Sequence, residues 1–412
     1  MVAYHFPPLA GSSGIQRTLR FVQHLPAFGW QPLVLTAQSR AYSRCSPDLD
    51  HEVSGDCVVK RSFALDTARH LAFKGRYVAA LARPDRWISW KFGALWDGMR
   101  LIKDFQPDII WSTYPIATAH LIGAELARRS GLPWVADFRD PMAQNGYPAD
   151  QKTWQQFTDI EKCAMQQAKL NIFTTPGAAR MYCERYPEAL KRITVIENGY
   201  DEESFSKSII KIDSPLNFGS ITLLHSGIVY PSERDPTNLF LALGILKRSG
   251  RLVSGQFKLR FRAAVHNNLI NELASKNDVY DLIETMPPLP YREALQEMLQ
   301  ADALLIMQGS GCNEQVPAKI YEYMRCAKPI IGLTDLRGDT AGVLRSAGIN
   351  AIANLASADD IVQKLPEFIA AVRTGEAAIA SPATIADASR YGRSNILANH
   401  FDALAKEFSD AY

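Results

Sequence analysis

Two carboxylates and a lysine stand close together in Asn313-Glu314-Gln315-Val316-Pro317-Ala318-Lys319-Ile320-Tyr321-Glu322. An apolar run, Ala303-Leu304-Leu305-Ile306-Met307, and the step Gly309-Ser310-Gly311 precede them. Pro317 suits the first turn of a helix, where its missing N–H costs nothing. Lys328-Pro329 stops that helix near Ala327. The charged groups therefore gather where a strand ends and a helix begins. Open α/β sheets bind ligands at such places, and helix N-termini favour anions such as phosphate. Lys319 and Glu322 are three residues apart, so both can share one helix face.

Three other groups could do chemistry. Asp137-Phe138-Arg139-Asp140-Pro141 ends the strand Trp134-Val135-Ala136. It reads either as an Arg–Asp pair that fixes a loop or as a catalytic or acceptor-binding set. Gly11-Ser12-Ser13-Gly14 precedes a helix over 15–28. This loop reads either as a phosphate wrap or as a tight structural turn. Gly227 follows the strand Ile221–His225 and leads to Arg234, with Asp235-Pro236 opening the next helix. His5, His225 and His266 are expected as structural or loop residues, with no metal site.

The elements that must position these groups alternate βα through both halves, so the fold class is α/β. The polar stretch 201–216 reads as the linker. The expected domains are 1–205, 206–381 and a tail over 382–412 that carries a helix near 393–408. Val2–Phe6 reads as a first strand, with Met1 already inside it. At 412 residues the chain is too long for one ordinary core. The 47% hydrophobic and 21% charged composition describes a globular protein rather than a disordered one. A net charge of +2 makes no general case for nucleic acid. The six cysteines are scattered without a CxxC pair, which argues against zinc and disulfide frameworks. No apolar run reaches the length of a membrane span, and no signal peptide is legible. No Gly-Lys-Ser/Thr P-loop occurs, and the first glycine loop lacks dinucleotide-fingerprint spacing.

Residues 60–103 differ in character. Lys74, Arg76, Arg83, Arg86, Lys91 and other basic residues lie among Phe73, Trp87, Trp90, Phe92 and Trp96. The stretch reads either as a solvated helical insertion with a buried face or as a surface for anionic membranes.

With these residues in view, the chain resembles the GT-B glycosyltransferases, in particular the retaining clade of glycosyltransferase family 4. The resemblance rests on Phe6-Pro7-Pro8 with Gly11 to Gly14 and Arg17, on Asp137-Phe138-Arg139-Asp140-Pro141, and on Glu197-Asn198-Gly199-Tyr200-Asp201. It also rests on Arg234 after Gly227, and on the Glu-x7-Glu spacing of Glu314 and Glu322 within Pro-x-Lys-x-x-Glu-Tyr. It implies two Rossmann-like domains facing across a cleft, with the C-terminal helix crossing back to the first domain. It further implies a nucleotide-sugar donor, a glycan or lipid-linked acceptor, and neither a cofactor nor a metal.

Residue by residue, the resemblance implies that Glu322 accepts from the ribose hydroxyls and that Glu314 meets the donor sugar. Ala318 would offer backbone amides to phosphate, and Arg234 would hold the diphosphate. The usual second lysine after Arg234 is missing, and Lys319 is expected to supply that charge. Gly11, Gly14 and Gly227 would let backbone approach the donor. Arg17, Asp137, Arg139 and Asp140 would serve the acceptor, with Asp137 positioning it or taking its proton. The implied activity is retaining transfer to a hydroxyl in bacterial surface glycan assembly, in the cytoplasm on the inner face of the membrane. The rivals are a nucleotide-sugar epimerase of the same fold and a non-catalytic nucleotide-sugar or glycan-binding subunit.

Overall fold

A computed structural model of the chain describes residues 1–12, 14–206 and 214–409. Ser13 of the glycine loop and positions 207–213 of the expected linker lie outside the described residues. The chain forms two compact units, Met1–Asn198 with Arg390–Tyr412, and Gly199–Ser389. The division falls at Asn198/Gly199 rather than 205/206, and the returning segment starts at Arg390 rather than at 382. The reason lies in packing. Phe205 of the helix Glu202–Ser206 is buried in the second unit's core, and Ile385 of the helix Pro382–Asp387 packs against the same cluster.

The strands of the first unit are all parallel. They are β1 (Leu33–Ala37), β2 (Val58–Ser62), β3 (Ile110–Thr113), β4 (Trp134–Arg139), β5 (Leu170–Phe173) and β6 (Ile193–Val195). Val2 bridges Leu35 on one side and Ser112 on the other. Its N–H donates to the Trp111 carbonyl at 2.7 Å, and its carbonyl accepts from Thr113 N–H at 3.1 Å. The lateral order is therefore β2, β1, Val2, β3, β4, β5, β6. The expected strand Val2–Phe6 shrinks to this bridge. Phe6 N–H turns back onto the Tyr4 carbonyl at 3.0 Å, and Pro7-Pro8 have no N–H to continue a ladder.

The helix Arg390–Ser409 covers one face of this unit. Its Leu397, Ala398 and Phe401 are buried with Phe21, Leu25 and Trp111. Trp30 Nε1 donates to Asp402 Oδ1 at 2.8 Å, which fixes the helix along its length. The stretch 60–103 is not one helical insertion. It holds the end of β2, one turn over Thr67–His70, and a tight hairpin at Phe73–Arg76. It then enters a longer helix, Trp90–Phe105.

The second unit holds β7 (Ile221–Ser226), β8 (Phe257–Arg262), β9 (Ile283–Met286), β10 (Ala303–Gln308), β11 (Ile330–Thr334) and β12 (Ile352–Ala353). They form one parallel sheet in the order β12-β11-β10-β7-β8-β9. All six residues of β10 are buried, which is why this strand reads as an unbroken apolar run. β12 is shorter than the expected strand at 349–352. In both units the chain winds outward from a central strand, returns, and winds the other way. The reversal lies between Val2 and β3 in the first unit and between β7 and β10 in the second. Strands that diverge at such a point leave a crevice beyond their carboxyl ends.

Candidate active site

In the second unit the crevice beyond β7 and β10 collects the residues singled out from sequence. β7 ends in His225 and Ser226, and the chain leaves it through Gly227 at φ 151°. The turn reaches back across the reversal, where Gly309 N–H after β10 donates to the Glu233 carbonyl at 2.6 Å. A Cβ at Gly309 would lie 2.9 Å from that carbonyl oxygen, so the close approach requires glycine. Arg234 is anchored by one guanidinium nitrogen, Nη1, on the Ile228 carbonyl at 3.1 Å, and it lies over the Tyr230 ring.

Lys319 opens a helix, Lys319–Arg325, two residues after Pro317. Its ammonium meets Glu322 Oε2 at 2.7 Å and faces the Tyr291 ring at 5.7 Å. Tyr291 OH donates to Glu322 Oε1 at 2.9 Å. Both carboxylate oxygens of Glu322 are thus held, and Lys319 is turned onto Glu322 rather than standing alone as a phosphate ligand. Tyr291, at the start of the helix Tyr291–Gln300, is the residue that sequence reasoning missed. Its only sequence signal is an aromatic residue directly after Pro290.

Glu314, half-buried, sits on a braced loop. Asn313 Nδ2 donates to Asp335 Oδ2 at 2.9 Å, the Asn313 carbonyl accepts from Asp339 N–H at 2.9 Å, and the Gln315 carbonyl accepts from Thr340 Oγ1 at 3.1 Å. Ala318 is exposed next to this loop.

Several polar atoms at this edge of the sheet are buried without a hydrogen-bond partner: His225 Nε2, Arg234 Nε, Gln308 Oε1 and Asn313 Oδ1. Such atoms are costly unless something satisfies them. His225 shows the electrostatics. Its Nδ1 lies 3.0 Å from the Leu305 carbonyl, an acceptor only, so Nδ1 carries the proton and Nε2 presents a lone pair. Burial lowers its pKa to about 4. The Leu305 bond opposes that shift, while the Arg234 and Lys319 charges add to it.

In the first unit, the glycine loop and the end of β4 meet at the other reversal. Gly14 begins the helix Gly14–His24, and a Cβ there would lie 2.5 Å from His5 Nδ1 and 2.9 Å from Arg139 Nη1. Gly11, at φ 78°, is exposed. Arg139 sits at φ 60° with its side chain buried. It donates through Nε to Thr113 Oγ1 at 2.9 Å and through Nη2 to Thr18 Oγ1 at 3.2 Å. Burial lowers its pKa to about 10. Burial, with Arg139 beside it, also lowers His5 to about 3.

Asp137 does not fit the role of proton acceptor. It has no solvent exposure, and Arg17 grips it with two bonds of 2.9 Å, while Thr113 Oγ1 adds a third at 2.9 Å. Burial, the largest single influence, would raise its pKa, but Arg17, Arg139 and Thr113 together outweigh burial and the net shift is downward. A carboxylate so held is a poor base. Of the two readings of this strand end, the ion pair that fixes a loop describes Asp137 and Arg17. Arg17 also donates to the Glu197 carbonyl at 3.2 Å, which ties in the expected Glu197-Asn198 motif. Asp140 remains exposed.

Among the described residues, no group of three or more His, Cys, Asp or Glu side chains is placed to hold a metal ion. No helix among the described residues is long and apolar enough to cross a membrane.

Residues 14–204 match the family model of Glycosyltransferase Family 4. No curated protein matches the sequence. Among solved structures, the chain is similar to the lipopolysaccharide outer core galactosyltransferase WaaB in its apo form. The TM-score is 0.61 at 13% identity, over 97% of this chain and 98% of that one. It is also similar to HepE of Anabaena in complex with UDP, with a TM-score of 0.59 at 13% identity over 98% and 97%. A Listeria monocytogenes protein assigned as a UDP-N-acetylglucosamine 2-epimerase superposes with a TM-score of 0.55 at 11% identity, over 98% and 96%. These identities speak for the fold. Residues 14–204 are thus similar to Glycosyltransferase Family 4, and the chain has the GT-B fold of these structures.

Proposed function

We propose that the protein is a retaining glycosyltransferase that moves a sugar from a nucleoside-diphosphate sugar to a hydroxyl acceptor. The observation that carries this reading is the set of buried, unpartnered polar atoms at the reversal between β7 and β10, on His225, Arg234, Gln308 and Asn313. Arg234 Nε faces the diphosphate. Lys319 keeps its bond to Glu322 and offers a second ammonium N–H to phosphate, since an ammonium has three donors. Together they stabilise negative charge as it builds on the leaving nucleoside diphosphate. Glu322, steadied by Tyr291, accepts from the ribose hydroxyls, and Glu314 serves the donor sugar. Gly227 and the amides near Ala318 admit the phosphates.

In the first unit, Gly11 and Gly14 would let the glycine loop approach a phosphate closely, beside His5 and Arg139. Arg139 and Asp140 meet the acceptor, and Arg17 with Asp137 braces the strand end that carries them. The acceptor is a glycan or lipid-linked hydroxyl in bacterial surface polysaccharide assembly, at the inner face of the membrane.

The test is incubation with a panel of nucleoside-diphosphate sugars, beginning with UDP-linked ones, with products followed by NMR. Nucleoside diphosphate release, with the anomeric configuration kept in any transferred sugar, supports the proposal. An epimerised nucleotide sugar as the sole product would establish the rival enzyme, and no reaction with any donor would favour a binding subunit.

A further inference from the structure

The stretch after β2 carries a second feature that donor chemistry does not use. Phe73 and Arg76 exchange backbone bonds of 2.8 and 3.0 Å across a two-residue turn, with Lys74 at φ 50° and Gly75 at φ 74°. This is the turn geometry that closes tight hairpins. The hairpin stands out in solvent. Phe73 is 77% exposed, and every residue from Phe73 to Leu81 is exposed, including Tyr77 and Val78.

The helix Trp90–Phe105 repeats the pattern. It buries Trp90, Ala94, Leu95 and Gly98. On its outer side Phe92 and Trp96, four residues apart, are 75% and 69% exposed. One further turn along, Arg100 lies over the Trp96 ring. The backbone of Phe63 runs against Gly93, where a Cβ would lie 2.8 Å from the Phe63 carbonyl oxygen. Exposed Phe63 and Phe92 therefore belong to one neighbourhood.

Charge decides what this face suits. Arg69, Lys74, Arg76, Arg100 and Lys103 are exposed, with Lys74 over the Phe73 ring and Arg100 over the Trp96 ring. Most carboxylates of the stretch are turned inward. Asp66 is buried and caps the turn at Thr67, Asp85 accepts from Thr118 N–H and Oγ1, and Asp97 holds Ser62 and Lys60. Asp104 is the exposed exception. Arg83 is drawn onto Asp150, and Arg86 lies over the Trp87 ring, so neither leads this face despite its place in the sequence.

We propose that the hairpin Phe73–Arg76 and the Phe92–Trp96 side of the helix Trp90–Phe105 dock the protein on an anionic lipid bilayer. The aromatic rings enter the headgroup region while Lys74, Arg76, Arg100 and Lys103 pair with lipid phosphates. Large exposed apolar patches mark interaction sites, and each basic side chain near an anionic surface adds to the affinity. This docking is independent of the donor assignment.

The test is co-sedimentation of the full-length protein with phosphatidylcholine vesicles, with and without phosphatidylglycerol. Wild type is expected to pellet with the anionic vesicles only, and less so at high salt. Two variants probe the face: Phe73→Ser with Phe92→Ser and Trp96→Ser, and Lys74→Glu with Arg76→Glu, Arg100→Glu and Lys103→Glu. Each should lower partitioning by about tenfold or more. Nucleotide-dependent thermal shifts measured on the same samples should be unchanged, which separates this result from any failure of the donor site. Wild type left in solution with both vesicle types would overturn the proposal, as would variants that bind like wild type. Self-association lost in the aromatic variant, without any vesicle binding, would overturn it in favour of contact between copies.

Discussion

Arg17 and Asp137 lie far apart in sequence yet share two parallel bonds of 2.9 Å at the base of the first unit's site, both side chains almost without solvent exposure. A planar guanidinium fork meeting a carboxylate is the strongest geometry such a pair can adopt. Breaking it by Arg17→Ala leaves a buried carboxylate with only Thr113 and, at 3.7 Å, Arg139 to compensate it, and the expected loss of stability is about 3–5 kcal/mol. Replacing both residues, Arg17→Met with Asp137→Leu, should cost less than Arg17→Ala alone. Denaturant unfolding of wild type, Arg17→Ala, Arg17→Met, Asp137→Leu and the double variant checks this, and a double variant as unstable as the sum of its two singles would refute the coupling.

The Glu322 carboxylate is held between Tyr291 and Lys319. If it reads the ribose, wild type should bind a nucleoside diphosphate more tightly than its 2′-deoxy analogue, by about 1.5–3 kcal/mol for one hydrogen bond to a charged acceptor. Glu322→Ala should lose that preference, and Tyr291→Phe should retain part of it. Calorimetric titration with the two ligands decides. Equal discrimination by Glu322→Ala and wild type would remove the ribose assignment.

The second unit's central strands were legible because β10 and β11 are buried on both faces and so appear as plain apolar runs. Lys319 and Glu322 were legible as a pair because helix geometry fixes which residues share a face. What was hidden depends on distant partners. Nothing local to Asp137 reveals that Arg17 consumes its carboxylate, so it read as available for chemistry. Tyr291 reaches Glu322 from another helix, which no spacing encodes. The first strand failed because the chain turns back at Tyr4, and the alternating Val2–Phe6 pattern does not reveal that turn. The stretch 60–103 looked helical from its basic and aromatic content. Its first three residues instead complete β2 and pair with β1, continuing a strand that Val58 and Val59 begin.

Gly338 leaves room for Asn313. A Cβ there would lie 2.7 Å from Asn313 Oδ1, on the loop that carries Glu314. Gly338→Ala should therefore shift the Glu314 loop and weaken binding of a nucleoside-diphosphate sugar several-fold. Binding of the nucleoside diphosphate alone should barely change. Parallel titrations test this, and equal loss for both ligands would count against a sugar-side Glu314.

Buried neutral histidines set an acid limit. His5, His120 and His225 have folded pKa values lowered to about 3, 4 and 4, chiefly by burial. Above pH 6.5 they are neutral in both states and contribute no pH dependence. As pH falls from 6.5 toward 4 the unfolded chain takes up protons that the folded chain refuses, so stability falls. Thermal unfolding across this range should show a falling Tm, and His225→Gln should flatten part of the slope. An unchanged slope in a folded His225→Gln protein would show that His225 is not held neutral.

The central claim is that the crevice beyond β7 and β10 binds a nucleoside diphosphate through Arg234. Its most direct test is the shift in unfolding free energy of wild type and Arg234→Ala with a panel of nucleoside diphosphates. At a ligand concentration one hundred times Kd, wild type should gain about 2.7 kcal/mol with at least one member. Arg234→Ala, folded, should gain far less at the same concentration. No shift with any nucleoside diphosphate, or an equal shift in both proteins, would contradict the account.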